Sequence, residues 1–88
     1  MLKNQVRLVF FGEVQGVGFR SAARRIANEF SIKGFARNCT DGCVEVVAQA
    51  DPETIDIFIK RLEEIFSIEK ITKKREPVSF VFSDFSIL

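Results

Sequence analysis

The chain contains no histidine, no tryptophan and no tyrosine, and only two cysteines, two prolines and one methionine. Each scarcity removes a class of chemistry. Without histidine, the usual general base near neutral pH and the commonest metal ligand are both missing. A Ser-His-Asp triad is impossible and a histidine-based zinc site is excluded. Cys39 and Cys43 are too few for a disulfide scaffold. They flank the turn Thr40-Asp41-Gly42 and are expected as free thiols, with a redox bridge across the turn as the alternative. Neither suits a cysteine-phosphatase loop, which places an arginine six positions after the nucleophile; here those positions hold Glu45 and Gln49. No apolar run approaches the roughly 20 residues that span a bilayer. Met1-Leu2-Lys3-Asn4-Gln5 lacks the apolar core of a signal peptide, so the expected compartment is the cytoplasm. A formal net charge of +1 gives no electrostatic reason to expect a nucleic-acid or membrane partner.

What is present suits one ordinary globular domain over residues 1–88, with a hydrophobic share of 47% and a charged share of 28%. Ten phenylalanines make the core aromatic while adding no buried hydroxyl or indole to satisfy. Val6-Arg7-Leu8-Val9-Phe10-Phe11 reads as a strand. Phe19, Ala22, Ala23, Ile26, Ala27 and Phe30 then fall on one helical stripe. Lys33–Cys39 is a short second strand, Asp41-Gly42 a hairpin turn and Cys43–Gln49 a third strand. Asp51 and Pro52 open a second helix as N-cap and first helical residue. Its stripe is Ile55, Phe58, Ile59, Leu62, Ile65 and Phe66, with Asp56 and Lys60 spaced as an i,i+4 ion pair. Residues 67–75 form a fourth strand and 82–88 add a short final one. Val78-Ser79-Phe80-Val81-Phe82 is an exposed-edge liability if unpaired. The order βαββαβ, with a possible fifth strand, predicts an α+β, ferredoxin-like split β-α-β sandwich: an antiparallel sheet with both helices on one face.

The junction between the first strand and helix carries the chemistry. In Gly12-Glu13-Val14-Gln15-Gly16-Val17-Gly18-Phe19-Arg20 the glycines permit positive φ, so successive amides can converge at the positive end of a helix dipole. Arg20 adds a planar fork of donors suited to two phosphate oxygens. The site would take a small phosphate-bearing ligand. A solvated arginine after a plain chain reversal is the simpler reading, and the turn alone does not decide between them. A Walker-type loop fails for want of its lysine, and a dinucleotide fingerprint fails because position 21 is Ser21 rather than glycine. Asn38, near the end of the second strand, is placed to face the same turn.

Two runs, Gly12-x-Val14-Gln15-Gly16-Val17-x-Phe19-Arg20 and Gly34-x-x-x-Asn38-x-x-Asp41-Gly42-x-Val44-Glu45, resemble the two signature motifs of the acylphosphatases. The resemblance spans nearly the whole chain, including the second helix and Phe85-x-Ile87. It departs at Phe35 and Ala36, at Ser21 and Ala22, and at Phe66-Ser67, none of which touches the matched pair. The resemblance implies a small metal-independent enzyme, with no cofactor, that hydrolyses acyl phosphates to a carboxylate and inorganic phosphate. It makes Arg20 and Asn38 the catalytic residues: Arg20 binds phosphate and Asn38 positions the attacking water. The loop of Gln15, Gly16, Val17, Gly18 and Phe19 completes the substrate-binding cradle through its amides. An amide cannot accept a proton near neutral pH, so the proton is expected to pass to the substrate's own phosphate; Glu13, Asp41 and Glu45 are the other candidates. A monomer with no nucleic-acid or membrane partner is expected. One alternative is a catalytically silent anion-binding or regulatory module of the same fold. RNA recognition is another, since Lys33-Gly34-Phe35-Ala36 echoes an RNA-binding motif, but it sits in the second strand and lacks the later stacking aromatic.

Overall fold

A computed structural model describes residues 4–88. The chain runs β1 (Gln5–Gly12), α1 (Phe19–Glu29), β2 (Lys33–Asn38), β3 (Val44–Gln49), α2 (Pro52–Ile65), β4 (Ile68–Glu76) and β5 (Phe85–Ile87). Period-two alternation decides the layering. Val6, Leu8 and Phe10 on β1 lie opposite Ala48, Val46 and Val44 on β3, and all six are buried. Ala36 on β2 pairs with Val46. Directly opposed residues share a sheet face, so these side chains form one apolar surface. Phe19, Ala23, Ile26 and Ala27 of α1 and Ile55, Phe58 and Leu62 of α2 close over it in a single core cluster. Both helices therefore cover the same face. Each fully buried phenylalanine or leucine there contributes roughly 1.5–3 kcal/mol of transfer free energy.

The sheet order is β4-β1-β3-β2-β5. It is mixed rather than purely antiparallel: β5 pairs parallel to β2, with Gly34 beside Phe85 and Ala36 beside Ile87. The reason is the path after β4. The chain leaves one edge of the sheet, crosses its open face and joins the far edge reversed, which is the direction of β2. The expected edge liability at Val78–Phe82 becomes this crossing strap. Gln49 holds it, donating from Nε2 to the Phe80 carbonyl at 2.6 Å and accepting the Phe82 N–H at 3.0 Å. The Phe82 ring meets Phe35 with centroids 5.7 Å apart. Phe80 and Val81 stay exposed.

Smaller differences have local causes. The two cysteines fall outside the strands, where the Cys39 N–H donates to the Cys43 carbonyl at 2.8 Å and closes the hairpin. Asp51 occupies the N-cap position of α2 but its side chain makes no capping bond. Asp56 accepts from Lys73 of β4 at 3.2 Å rather than pairing along its own helix with Lys60. Ile65 is exposed because α2 ends there and the chain turns to extended geometry at Phe66. Among the described residues, no helix is long and apolar enough to cross a membrane.

Candidate active site

β1 ends at Gly12, where φ is +127° and an added Cβ would stand 2.5 Å from the Ser67 carbonyl oxygen. Only glycine fits that approach. The Glu13 N–H donates to the same Ser67 oxygen at 3.0 Å, and the Val14 N–H to the Gly12 carbonyl at 3.1 Å. With Val14 buried, the base of the loop is anchored. Gly16 and Gly18 take φ of +73° and +80° in open space, so their requirement is conformational. Gly18 is the N-cap of α1 and offers no capping side chain, and the first turn of α1 holds no acidic residue. Among the described residues, the N–H groups from Gln15 to Phe19 make no main-chain hydrogen bond. They form a run of donors at a positive helix end, an arrangement that favours an anion.

Arg20 is half-buried and donates from Nη1 to the main-chain oxygen of Leu88 at 2.9 Å. The Leu88 N–H in turn donates to the Ala36 carbonyl at 2.9 Å, so the guanidinium is braced through the β5 edge against β2. Asn38 ends β2 opposite Val44, which puts it on the helix-covered face. A cavity of about 110 Å³ lies between them, lined by Gly16, Gly18, Phe19, Arg20 and Asn38. Val14, Ser21 and Ile87 complete its wall. Pockets that enclose drug-sized ligands run to roughly 300–1,000 Å³, so this one suits a phosphate group and not a nucleotide.

The side chains of two loop residues expected to offer their amides point away from this cavity. The Gln15 side chain turns to the β2–β3 hairpin, and Val17 lies against Glu13, Ile65, Phe66 and Ser67 in a separate cavity of about 370 Å³. That second space is larger, but it offers no cationic side chain to an anion. Phe19 is almost wholly buried and its ring packs between Phe10 and Phe66, at centroid distances of 5.0 and 4.9 Å. Its side chain fixes the start of α1. Ser21, Ile87 and Leu88 were missed from the sequence. Ser21 follows directly from its place on the first turn after Arg20, whereas Leu88 lies 68 residues away with no local signal.

Among the described residues, no Asp or Glu side chain lines the Arg20–Asn38 cavity. Glu45, one of the candidate proton acceptors, sits on the opposite sheet face, bound by Arg7 at 2.6 Å and by Arg37. Burial alone would raise its pKa, but the bonds from Arg37 and Arg7 outweigh this and hold the carboxyl below the usual range. Glu13 faces the other cavity and Asp41 lies in the hairpin turn. Cys39 and Cys43 are free thiols. Burial, and then the hydrogen bond with Cys43, pushes Cys39 up to about 11, so it is a protonated thiol at neutral pH and a poor nucleophile.

Comparison with known proteins agrees with this construction. The family model described as Acylphosphatase matches residues 6–87. An acylphosphatase of Yersinia pseudotuberculosis is 43% identical over 56 residues, an alignment covering 64% of this chain and 61% of that protein's length. One from Methylococcus capsulatus is 32% identical over 87 residues, covering 96% and 95% of the two chains. The crystal structure of acylphosphatase from Bacillus subtilis superposes with a TM-score of 0.89 at 27% identity, covering 100% of this chain and 99% of that one. With Arg20 and Asn38 at one cavity and the match running from β1 to the end of β5, the chain belongs to the acylphosphatase family.

Proposed function

We propose that this chain hydrolyses the carboxyl–phosphate bond of small acyl phosphates without a metal ion, yielding a carboxylate and inorganic phosphate. Arg20 and the loop amides hold the phosphoryl oxygens and offset their charge as the transition state spreads it. Asn38 orients a water by donating and accepting hydrogen bonds. The water oxygen bonds to phosphorus while the phosphorus–oxygen bond to the acyl group breaks, and the bond pair leaves with the carboxylate. The water proton ends on a phosphate oxygen of the substrate itself. That route is favoured because, among the described residues, no side-chain carboxylate borders the cavity and Glu45 is engaged by two arginines on the other face. A carboxylate is a good leaving group, so positioning and charge stabilisation suffice.

The single observation that carries this reading is that Arg20 and Asn38 open onto one phosphate-sized cavity. The test is phosphate release from benzoyl or acetyl phosphate in excess chelator. Release well above spontaneous hydrolysis, lost by at least about 100-fold in Arg20→Ala, is expected. No release, or release only with added metal, contradicts the reading. A silent anion-binding module would bind phosphate with the same residues and turn nothing over. A monomeric state and a cytoplasmic location go with the proposal, and sedimentation and cell fractionation check them.

A further inference from the structure

Gln15 lies within the anion-holding loop, yet its carboxamide does not line the cavity. Its Nε2 donates to the Cys39 carbonyl at 2.9 Å and to the Cys43 carbonyl at 2.8 Å. Those carbonyls flank the mouth of the β2–β3 hairpin, which the Cys39 N–H to Cys43 carbonyl bond already closes. An NH₂ group carries two N–H bonds, so one carboxamide serves both acceptors at once. Among the described residues, these are the only hydrogen bonds joining residues 13–18 to that hairpin. Cys39 directly follows Asn38, which is exposed at the very end of β2.

We infer that Gln15 is a positioning residue: its carboxamide locks the phosphate loop to the hairpin and so sets the distance between bound phosphorus and the water that Asn38 aims. This rests on the acylphosphatase reading. Loop and hairpin come from distant parts of the chain, and a misplacement of about 1 Å between reacting groups can cost about 100-fold in rate. Gripping the anion does not need the lock, because Arg20 is braced separately by Leu88 and the glycine loop is anchored at Ser67. The lock therefore acts on turnover more than on phosphate affinity.

The experiment measures kcat, KM and competitive inhibition by inorganic phosphate for wild type, Gln15→Met, Gln15→Ala, Asn38→Ala and the double variant Gln15→Met/Asn38→Ala. Met keeps the length of the side chain and removes its donors. We expect Gln15→Met to lower kcat by about 10- to 100-fold while the phosphate inhibition constant changes less than about threefold. In the Asn38→Ala background the same change should cost almost nothing, since the water is no longer aimed. A purely structural role would multiply the two losses or weaken phosphate binding as far as turnover, and either result overturns the inference. Full kcat in Gln15→Met overturns it as well. If Gln15→Ala fails to fold by thermal melting, Gln15→Met and the double variant still decide. Wild type without turnover removes the functional reading together with this inference; wild-type turnover untouched by Gln15→Met removes this inference alone.

Discussion

In the proposed mechanism Arg20 grips the anion and Asn38 aims the water, so their variants should separate along different kinetic axes. Arg20→Lys keeps a positive charge but loses the planar fork and its brace on Leu88. Its cost should fall between wild type and Arg20→Ala, with a higher KM, in the phosphate-release assay. On that mechanism Asn38→Ala removes an interaction with water rather than with phosphate, so kcat should drop by about 10²-fold or more with KM nearly unchanged. A rise in KM with kcat retained would show that Asn38 holds the anion instead. Both residues were legible in the sequence, Arg20 from glycine spacing before a helix and Asn38 from the second family motif. The true setting of Gln15 and Phe19 was not, because sequence spacing identifies a loop but not where each of its side chains turns. Ile87 and Leu88 reach the site only by pairing beside β2, a contact that no local pattern announces.

Among the elements, β2 is the most constrained by a backbone approach. Gly34 has φ of +142°, and a Cβ there would stand 1.8 Å from the Val47 carbonyl oxygen across the β2–β3 pairing. Gly34→Ala must both strain the backbone, at about 1–3 kcal/mol, and force two paired strands apart. The chemical-denaturation midpoint should fall sharply, and with it the placement of Asn38 four residues on. A variant as stable as wild type would contradict this, whereas Gly16→Ala meets only the φ penalty because nothing lies within 4 Å. Periodicity located the two helices and the first four strands with ends off by a residue or two, as expected where pairing frays. The parallel direction of β5 was not legible, since it follows from how residues 77–84 cross the sheet. The strap's anchor, Gln49, was equally hidden: a polar residue at a strand position gives no sign that it will be fully buried and bonded to a distant segment.

Across the whole molecule, the open sheet face is held by a chain of charge that links four strands. Arg37 of β2 bonds Glu45 of β3, which accepts from Arg7 of β1 at 2.6 Å, and Arg7 donates to Glu76 of β4 at 3.0 Å. Gln5 adds a bond to Glu76 at 2.8 Å. The hydrogen bond from Arg7 and then that from Gln5 lower Glu76, and the two arginines outweigh burial to lower Glu45. A carboxyl whose folded pKa lies below its unfolded value adds stability that is fully present above the unfolded value, about 4.3 for glutamate. That stability is lost as pH falls through the folded value. The urea midpoint should therefore hold steady from pH 7 to about 5 and decline below roughly pH 4. The Glu45 side chain is only 10% exposed while those of Arg7 and Arg37 are 36% and 55% exposed, so water screens the pairs in part. Glu45→Gln should then cost about 1–2 kcal/mol at pH 7 and flatten the acid limb of the midpoint curve. Because this ladder lies on the face away from Arg20 and Asn38, phosphate release at pH 7 by the folded Glu45→Gln protein should stay within about twofold of wild type. An acid limb unchanged by Glu45→Gln would mean that other groups carry the pH dependence, and a large loss of turnover would mean that the two faces of the sheet are coupled.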